Sequence, residues 1–234
     1  MTANPISLSI SNARFKMIEQ QIRPWNVSDK EVLSVLNIVK REAFVTDAQT
    51  NLAFMDILLP INNNANSANS GEVMLEPKLE ARVLQTIKPT GKEDVLEIGT
   101  GSGYMAALLG YFAKHVTTVE INPDLAKFAQ ENLNKSRIPN VTVNVGDAAH
   151  GWANGQSQSY DIIVVSGGLP QVSKTLQAQL KIGGRLLAFV GNEPVMSAVL
   201  ITRVSQDYYK TEILFETLVP MLKVAKSELE NFVF

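Results

Sequence analysis

Three glycines at every second position, Gly99, Gly101 and Gly103, follow an apolar run and precede a helix-like pattern. The stretch reads VLEIGTGSGYMAALLG, which predicts a strand, a tight glycine turn and a helix in that order. Such a turn directs backbone N–H groups to the start of a helix, where a negative or polar ligand group is stabilised. The dinucleotide fingerprint needs glycine or alanine where this chain has Tyr104, so a nicotinamide dinucleotide fits poorly.

Acidic residues at three successive predicted strand ends extend this pattern. Glu97 stands before the first glycine, which resembles the first motif of Rossmann-like methyltransferases that use S-adenosylmethionine (SAM). Glu120 ends the next apolar strand, about twenty residues after the first glycine, where a carboxylate can accept hydrogen bonds from ribose hydroxyls. Asp147 follows the third strand and could accept from an adenine amino group. Each residue alone has a structural explanation, such as a solvated strand end or a helix cap. Together they predict a SAM site.

A mostly parallel sheet must position these residues, because strand and helix patterns alternate from Glu72 onward. We predict an α/β fold with a Rossmann-like SAM-dependent methyltransferase sheet that ends in a C-terminal antiparallel hairpin around the turn SQDYY. The predicted strands are Asp94 to Ile98, Val116 to Ile121, Val141 to Val145, Asp161 to Ser166 and Arg185 to Val190, with two more between Ala198 and Val219.

Residues 1–60 are predicted to form a helical N-terminal cap. Phe15, Ile18 and Ile22 fall on one face of the first helix. Ser28 is the predicted N-cap of the second helix, DKEVLSVLNIVK, whose apolar residues recur at helical spacing.

Residues 61–71, INNNANSANSG, are too polar to pack, so they are predicted to be a flexible loop that could close over the site as a lid. Residues 72–234 then form the SAM-binding domain. The tail KVAKSELENFVF could serve as a dimer or partner helix.

Composition excludes several classes of function. A formal net charge of -2 and a pI of about 5.8 give no general basic field for binding nucleic acid. The absence of cysteine excludes thiolate metal sites and cysteine nucleophiles, and two histidines offer no basis for a histidine-rich metal site. No apolar run approaches the roughly 20 residues that cross a bilayer, and the N-terminus lacks a signal-peptide layout. We therefore expect a cytoplasmic protein with no metal and no membrane partner.

Several longer segments occur in an order typical of one enzyme family. They are REAFV, LAFMDILLPI, EPKLEARVL, GYMAALL, GDAAHGW, YDIIVVSGGLP and LKIGGRLLAFVG. Over roughly residues 12 to 222, the chain resembles the protein-L-isoaspartate O-methyltransferase family. The most specific segments are REAFV, GDAAHGW and the glycine-containing strand GGRLLAFVG.

The resemblance implies that SAM is the cofactor and that different strand ends contact different parts of it. The glycine turn would line its methionine end, Glu120 its ribose, and Asp147 with Ala148 its adenine, while Ser166 would face the transferred methyl group. The predicted cofactor-binding residues are Glu97, Gly99, Thr100, Gly101, Ser102, Gly103, Glu120, Ile121, Asp147 and Ala148.

The segment on the substrate side departs from the family. The family usually carries a GQTISQP-like segment, whose serine hydroxyl is associated with the isoaspartyl substrate. Aligned through Pro77, this chain reads GEVMLEP, with Leu75 in place of the serine and Glu72 and Glu76 in place of glutamines. Leu75 cannot donate to a carboxylate, and the glutamates would repel one if they face the site. We therefore predict weak or absent activity on isoaspartyl peptides.

The resemblance implies methyl transfer to the carboxylate of isoaspartyl residues in damaged proteins, which is a repair reaction. An acceptor already ionised at neutral pH needs positioning and desolvation more than a general base, so no catalytic residue is assigned. The substrate-side candidates are Leu75, Glu72, Glu76 and Ser166. Two alternatives stay open: a SAM-dependent methyltransferase with a different acceptor, such as a small molecule with an apolar body, and a SAM-binding interaction protein without transfer activity.

Overall fold

The computed structural model describes residues 5–61, 71–152 and 159–225. Of the predicted flexible loop, residues 61–71, the part from residue 62 to residue 70 lies outside these ranges, and so does the tail from residue 226 to residue 234. The tail residues that are described, Lys223 to Ala225, have no helical structure, so the prediction of a helix is wrong for them.

The N-terminal cap is helical, as predicted, but less regular than its sequence pattern suggests. Helix α1 (Pro5–Lys16) continues as a π-helical segment over Met17–Ile22, and α2 covers Lys30–Ile38. Short 3₁₀ turns then cover Arg41–Phe44, Asp47–Gln49 and Leu52–Phe54.

Two details of the helical prediction are wrong. The N-cap of α2 is Asp29 rather than Ser28, because Asp29 Oδ1 accepts from the backbone N–H of Glu31 at 2.9 Å. Gln85 Oε1 accepts from the N–H groups of both Ser28 and Asp29 and thereby fixes the chain just before the helix. Phe15 is 62% exposed, although Ile18 and Ile22 are buried. The π-helical segment, with its i→i+5 bonds, breaks the spacing that would have placed Phe15 on the buried face.

A short antiparallel ladder joins the cap to the rest of the chain. Strand β1 (Leu59–Pro60) pairs with β2 (Val73–Met74), with Leu59 opposite Met74. The sequence does not predict this ladder, because two-residue strands carry no periodic signal. The ladder brings the GEVMLEP segment against the end of the cap. The division into a cap of residues 1–60 and a domain of residues 72–234 stays a prediction.

The central sheet confirms the predicted α/β fold. After helix α3 (Pro77–Ile87), its strands are β3 (Asp94–Ile98), β4 (His115–Glu120), β5 (Val141–Val145), β6 (Tyr160–Leu169), β7 (Leu180–Asn192), β8 (Val195–Arg203) and β9 (Tyr209–Glu216). The strand order is β5-β4-β3-β6-β7-β8-β9, parallel from β5 to β7 and antiparallel for β8 and β9. The predicted C-terminal hairpin is therefore present.

Apolar layers cover both faces of this sheet. Helices α4 (Tyr104–Phe112), α5 (Pro123–Lys135) and α6 (Lys174–Ala178) connect the strands. Val95 packs into a cluster with the cap, whereas the next residue, Leu96, packs into a second cluster. A strand that is buried on both faces is typical of a parallel sheet. The carboxyl ends of the parallel strands meet at one edge, where such sheets bind ligands.

Strand β6 is longer than predicted. It passes through Ser166 and two glycines to Leu169, and a register shift brings Gly168 opposite Phe189. Gly168 exchanges backbone hydrogen bonds with the C-terminal segment: its N–H donates to Pro220 O at 2.8 Å and its carbonyl accepts from Leu222 N at 2.9 Å. The C-terminal segment thus lies beside the edge where the strands end.

Within the described ranges, no helix has both the length and the apolar character needed to cross a membrane.

The corrected cap of α2 can be tested directly. Asp29→Ala is expected to lower the free energy of unfolding by about 1 kcal/mol, because the first turn of the helix loses its acceptor. The same change removes an ion pair with Lys88, which is an exposed side chain and adds little. Ser28→Ala is the matched control and should change stability by less than about 0.5 kcal/mol. Urea denaturation measures both, and a larger loss for Ser28→Ala would contradict the assignment.

Candidate functional site

A cavity lies at the carboxyl edge of the parallel strands. The predicted site residues that line it are Gly99, Gly101, Glu120, Ile121, Asp147, Ala148, Glu72 and Ser166. A smaller cavity adjoins it and shares Val73, Gly99, Gly101 and Ser166 with it. The smaller cavity also contacts Glu97, Thr100, Ser102 and Leu75. The structure therefore brings most of the predicted residues together around two adjoining spaces.

The glycine turn is shaped by backbone conformations that favour glycine. Gly99, Gly101 and Gly103 have φ values of 90°, 54° and 86°. A Cβ atom at Gly101 would lie 3.0 Å from the side chain of Ile61, so the missing side chain leaves space at the cavity wall. Gly103 lines neither cavity; it packs against Ala129 of α5, where a Cβ atom would lie 3.2 Å from the alanine Cβ. Gly103 serves helix packing at the start of α4.

Glu120 holds this turn while it lines the larger cavity. Its Oε2 accepts from the backbone N–H of Gly101 at 2.8 Å, and its Oε1 accepts from the N–H of Asn122 at 3.1 Å. A carboxylate has about four lone-pair positions, so both oxygens keep capacity to accept from the two hydroxyls of a ribose.

Asp147 also lines the larger cavity, after the strand that neighbours β4 and beside the buried residues Ala148 and Ala149. Its Oδ1 accepts from Ala149 N at 3.0 Å, and its Oδ2 accepts from Ala225 N at 2.7 Å. The two alanines give the apolar surface that a flat ring requires. The predicted acceptor for an adenine amino group is present, and a backbone N–H of the C-terminal segment contacts it.

The C-terminal segment also forms part of the cavity wall through residues 220–223. Lys223 Nζ lies 2.7 Å from Glu72 Oε1, and the same oxygen accepts from Asn122 Nδ2 at 2.9 Å. Glu72 faces the cavity, as the sequence analysis considered, but a cation lies against its carboxylate. Sequence reasoning missed Lys223 because 151 positions separate the two partners and no periodic pattern connects them.

Glu76 does not belong to this site. It lines neither cavity and instead borders a surface groove together with Trp25 and Val195. Its carboxylate is 3.7 Å from Lys78 Nζ, and burial raises the pKa of Glu76. The structure therefore separates Glu76 from the other substrate-side candidates.

Leu75 contacts the smaller cavity and is itself buried. Its carbonyl oxygen accepts from Arg41 Nη2 at 2.6 Å, and Arg41 also forms a buried ion pair with Glu80. Arg41 belongs to the REAFV segment of the cap, so this arginine fixes the backbone at the residue that is predicted to replace a serine. Together with Met74 and Met105, Leu75 makes that wall apolar.

Glu97 lies at the base of the smaller cavity and is fully buried. Its Oε2 lies 2.7 Å from Thr118 Oγ1, and its Oε1 lies 2.9 Å from Ser166 Oγ. Burial raises the pKa of Glu97 to about 8, against the effect of these two hydrogen bonds. The carboxyl group is therefore mainly protonated at neutral pH.

These features fit one class of protein. A glycine turn, carboxylates at the ends of β3 and β4 and an aspartate after β5, all at one edge of a Rossmann-like sheet, define a SAM-dependent methyltransferase. A sequence model of the family "Protein-L-isoaspartate(D-aspartate) O-methyltransferase" matches residues 12–225. The chain belongs to this family.

Curated relatives agree with that membership over most of their length. The chain is 39% identical to a protein-L-isoaspartate O-methyltransferase of Rhodopseudomonas palustris (strain ATCC BAA-98 / CGA009), covering 88% of this chain and 91% of the relative. It is 37% identical to another from Protochlamydia amoebophila, covering 84% and 90%.

Solved structures share the fold. One protein-L-isoaspartate O-methyltransferase matches with a TM-score of 0.74 at 24% identity, over 90% of this chain and 66% of that chain. A putative family member from Plasmodium falciparum, in complex with S-adenosyl-L-homocysteine, matches with a TM-score of 0.68 at 18% identity, over 95% and 99%.

The role of Glu120 can be measured by ligand binding. Glu120→Ala is expected to weaken SAM binding by about 1.5–3 kcal/mol, because a charged acceptor is lost and the turn at Gly101 loses its anchor. Isothermal titration calorimetry with SAM and S-adenosylhomocysteine measures the change. Glu131→Ala, on the exposed side of α5, is the control and should bind normally. Unchanged affinity in Glu120→Ala would remove this residue from the cofactor site.

The buried carboxyl of Glu97 should make stability depend on pH. The folded state keeps its proton up to a pKa of about 8, whereas the unfolded chain releases it near 4.5. Between these values the folded state binds more protons, so this group lowers the free energy of unfolding as pH rises. Each pKa unit is worth about 1.4 kcal/mol. Glu97→Gln has no such proton, and its stability should fall less than that of the wild type between pH 5 and about 8. Parallel urea-denaturation curves across this range would contradict the shift.

Proposed function

We propose that this protein transfers the methyl group of SAM to the free carboxylate of isoaspartyl residues, and that it does so as a cytoplasmic enzyme that repairs damaged proteins. The observation that carries the proposal is the pair of adjoining cavities. The larger one presents the acceptors that suit a nucleoside, and the smaller one joins it at Ser166 and Gly99. A small acceptor group placed there lies next to the methionine end of the cofactor site. The names of the curated relatives support the same activity.

The residues of the smaller cavity suit an acceptor that is already ionised. When bound, SAM supplies an electrophilic methyl group, so that an O–C bond forms while the C–S bond breaks and its electron pair stays on sulfur. The protein has to hold the carboxylate in line and remove water from it. Met74, Leu75 and Met105 provide the apolar surface that excludes water, and Ser166 provides a hydroxyl group. A general base has no proton to remove in this reaction.

The electrostatic objection raised by the sequence is smaller in the structure. Glu72 is paired with Lys223, and Glu76 lies outside both cavities. What remains of the departure is Leu75, which supplies no donor. Because the two charges no longer oppose the acceptor, we expect activity on isoaspartyl peptides where the sequence alone predicted it to be weak or absent. The same apolar wall favours a second candidate, a SAM-dependent methyltransferase for a small molecule with an apolar body. A homodimer formed through the tail remains a prediction, because residues 226–234 lie outside the described ranges.

One assay separates these functions. The protein is incubated with methyl-labelled SAM and either an isoaspartyl peptide or its aspartyl twin. We expect base-labile label, the signature of a methyl ester, in the isoaspartyl peptide alone. Binding of S-adenosylhomocysteine without labelling of either peptide would contradict the proposal. Transfer to a panel of small carboxylic acids would then indicate a different acceptor, and no transfer at all would indicate an interaction protein.

The effect of the departure is tested by restoring the hydroxyl. Leu75→Ser is expected to lower KM for the isoaspartyl peptide, because one added donor to an ionised group contributes about 1.5–3 kcal/mol. Glu76→Gln should leave KM unchanged, because Glu76 lines neither cavity, and it serves as the control. Glu72→Gln should give little gain, since the charge it removes is already paired with Lys223.

Steady-state kinetics on the three single variants and their combination measures these effects. A KM that falls only when Glu76→Gln is present would show that Glu76 reaches the acceptor. It would contradict the structure, in which Glu76 lies outside both cavities. An unchanged KM in Leu75→Ser would show that position 75 does not contact the acceptor.

A further inference from the structure

We propose that Ser166 is the hydroxyl donor that holds the acceptor carboxylate in this chain, and that Glu97 orients that hydroxyl as a positioning residue. The inference rests on the proposed function, because it concerns the acceptor of that reaction. It explains how the chain can bind a carboxylate although Leu75 has no donor.

The position of Ser166 is the first reason. Among the described residues, it is the hydroxyl-bearing side chain that lines both cavities, so it stands where cofactor and acceptor meet. Thr100 and Ser102 line only the smaller cavity and are 4% and 3% exposed. Thr100 Oγ1 is also bonded to Thr118 Oγ1 at 2.7 Å. Ser166 is only partly buried and can reach a ligand.

The hydrogen-bond count around Glu97 is the second reason. A serine hydroxyl can donate one hydrogen bond, and across the 2.9 Å contact an ionised Glu97 would accept that bond. A protonated Glu97 reverses that bond: its own O–H donates to Ser166 Oγ, and the serine proton is free to point into the cavity. Thr118 still donates to the other oxygen of Glu97 in either state. The protonation of Glu97 therefore decides whether Ser166 donates to the protein or to a ligand.

The surroundings of Glu97 favour the protonated form. Burial is the main cause of its raised pKa, and the negative charges of Glu80 on α3 and Glu120 on β4 add to it. Arg41, which pairs with Glu80, partly offsets the charge of that residue. A bound acceptor carboxylate would raise the pKa of Glu97 further, and the positive charge of SAM would lower it. These charges act in opposite directions on a group whose pKa is about 8.

Binding of the acceptor tests the role of Ser166 without turnover. Calorimetry measures the affinity of an isoaspartyl peptide for the protein saturated with S-adenosylhomocysteine. Ser166→Ala is expected to weaken it about 10- to 100-fold, because a donor to an ionised group is lost. Ser166→Thr keeps the hydroxyl and should bind within about threefold of the wild type on the same scale. Ser205→Ala, in an exposed turn, is the control for loss of a hydroxyl elsewhere.

The pH dependence tests the role of Glu97. In the wild type, KM for the isoaspartyl peptide should rise as pH passes about 8, because the ionised Glu97 then accepts the hydrogen bond of the Ser166 hydroxyl, which can no longer donate to the peptide. In Glu97→Gln, the side-chain amide donates to Ser166 at every pH, so the rise should be absent. A purely structural role of Glu97 would change the level of KM but not the shape of the profile.

The outcomes separate this inference from the proposed function. Wild-type protein that methylates the isoaspartyl peptide, with Ser166→Ala equal to wild type in affinity, overturns the inference and leaves the function standing. An identical rise of KM with pH in wild type and Glu97→Gln overturns the part concerning Glu97. Wild-type protein that binds S-adenosylhomocysteine but neither binds nor methylates the isoaspartyl peptide overturns both.

Discussion

The hydrogen bond from Gly101 N–H to the carboxylate of Glu120 is the contact on which the site depends. It ties the turn after β3 to the end of β4, so that two strand ends become one wall of the cavity. A backbone donor in such a turn must be satisfied when it is partly buried, and a short acidic side chain at the neighbouring strand end is the group that can do so. The same carboxylate keeps lone pairs for a ligand. Structural support and the predicted ligand contact thus fall on one residue, so a substitution there is expected to affect both.

The sequence predicted those parts of the fold whose local structure depends on residues close together in the chain. Strands β3 and β5 have the predicted bounds, because each is a short run rich in β-branched and apolar residues that ends at a glycine turn. The acidic residues at strand ends were found in the same way. The β1–β2 ladder, the cap at Asp29 and the contacts of Lys223 were missed. Each of these depends on segments that are far apart in sequence or on a choice between adjacent polar residues, and neither leaves a periodic signal.

The predicted replacement of a serine by Leu75 concerns a side chain and leaves the backbone contacts of the segment in place. Arg41 binds the backbone carbonyl of this residue, not its side chain, so the position of the segment does not depend on which side chain it carries. Ser166 comes from a different strand and approaches the same space from the sheet. A hydroxyl can therefore be lost from one wall of the cavity and offered by the other, and the fold does not have to move.

The C-terminal segment has a practical consequence. Ala225 contacts Asp147 through its backbone, Lys223 contacts Glu72, and Leu222 bonds to Gly168, so the last described residues are attached to the cofactor site itself. A purification tag or a fused domain placed after this segment would lie in the chain next to the contacts that border the predicted adenine position. Preparations that differ only in such an extension should not be treated as equivalent when cofactor affinities are compared, and an N-terminal tag is the sounder choice for measuring them.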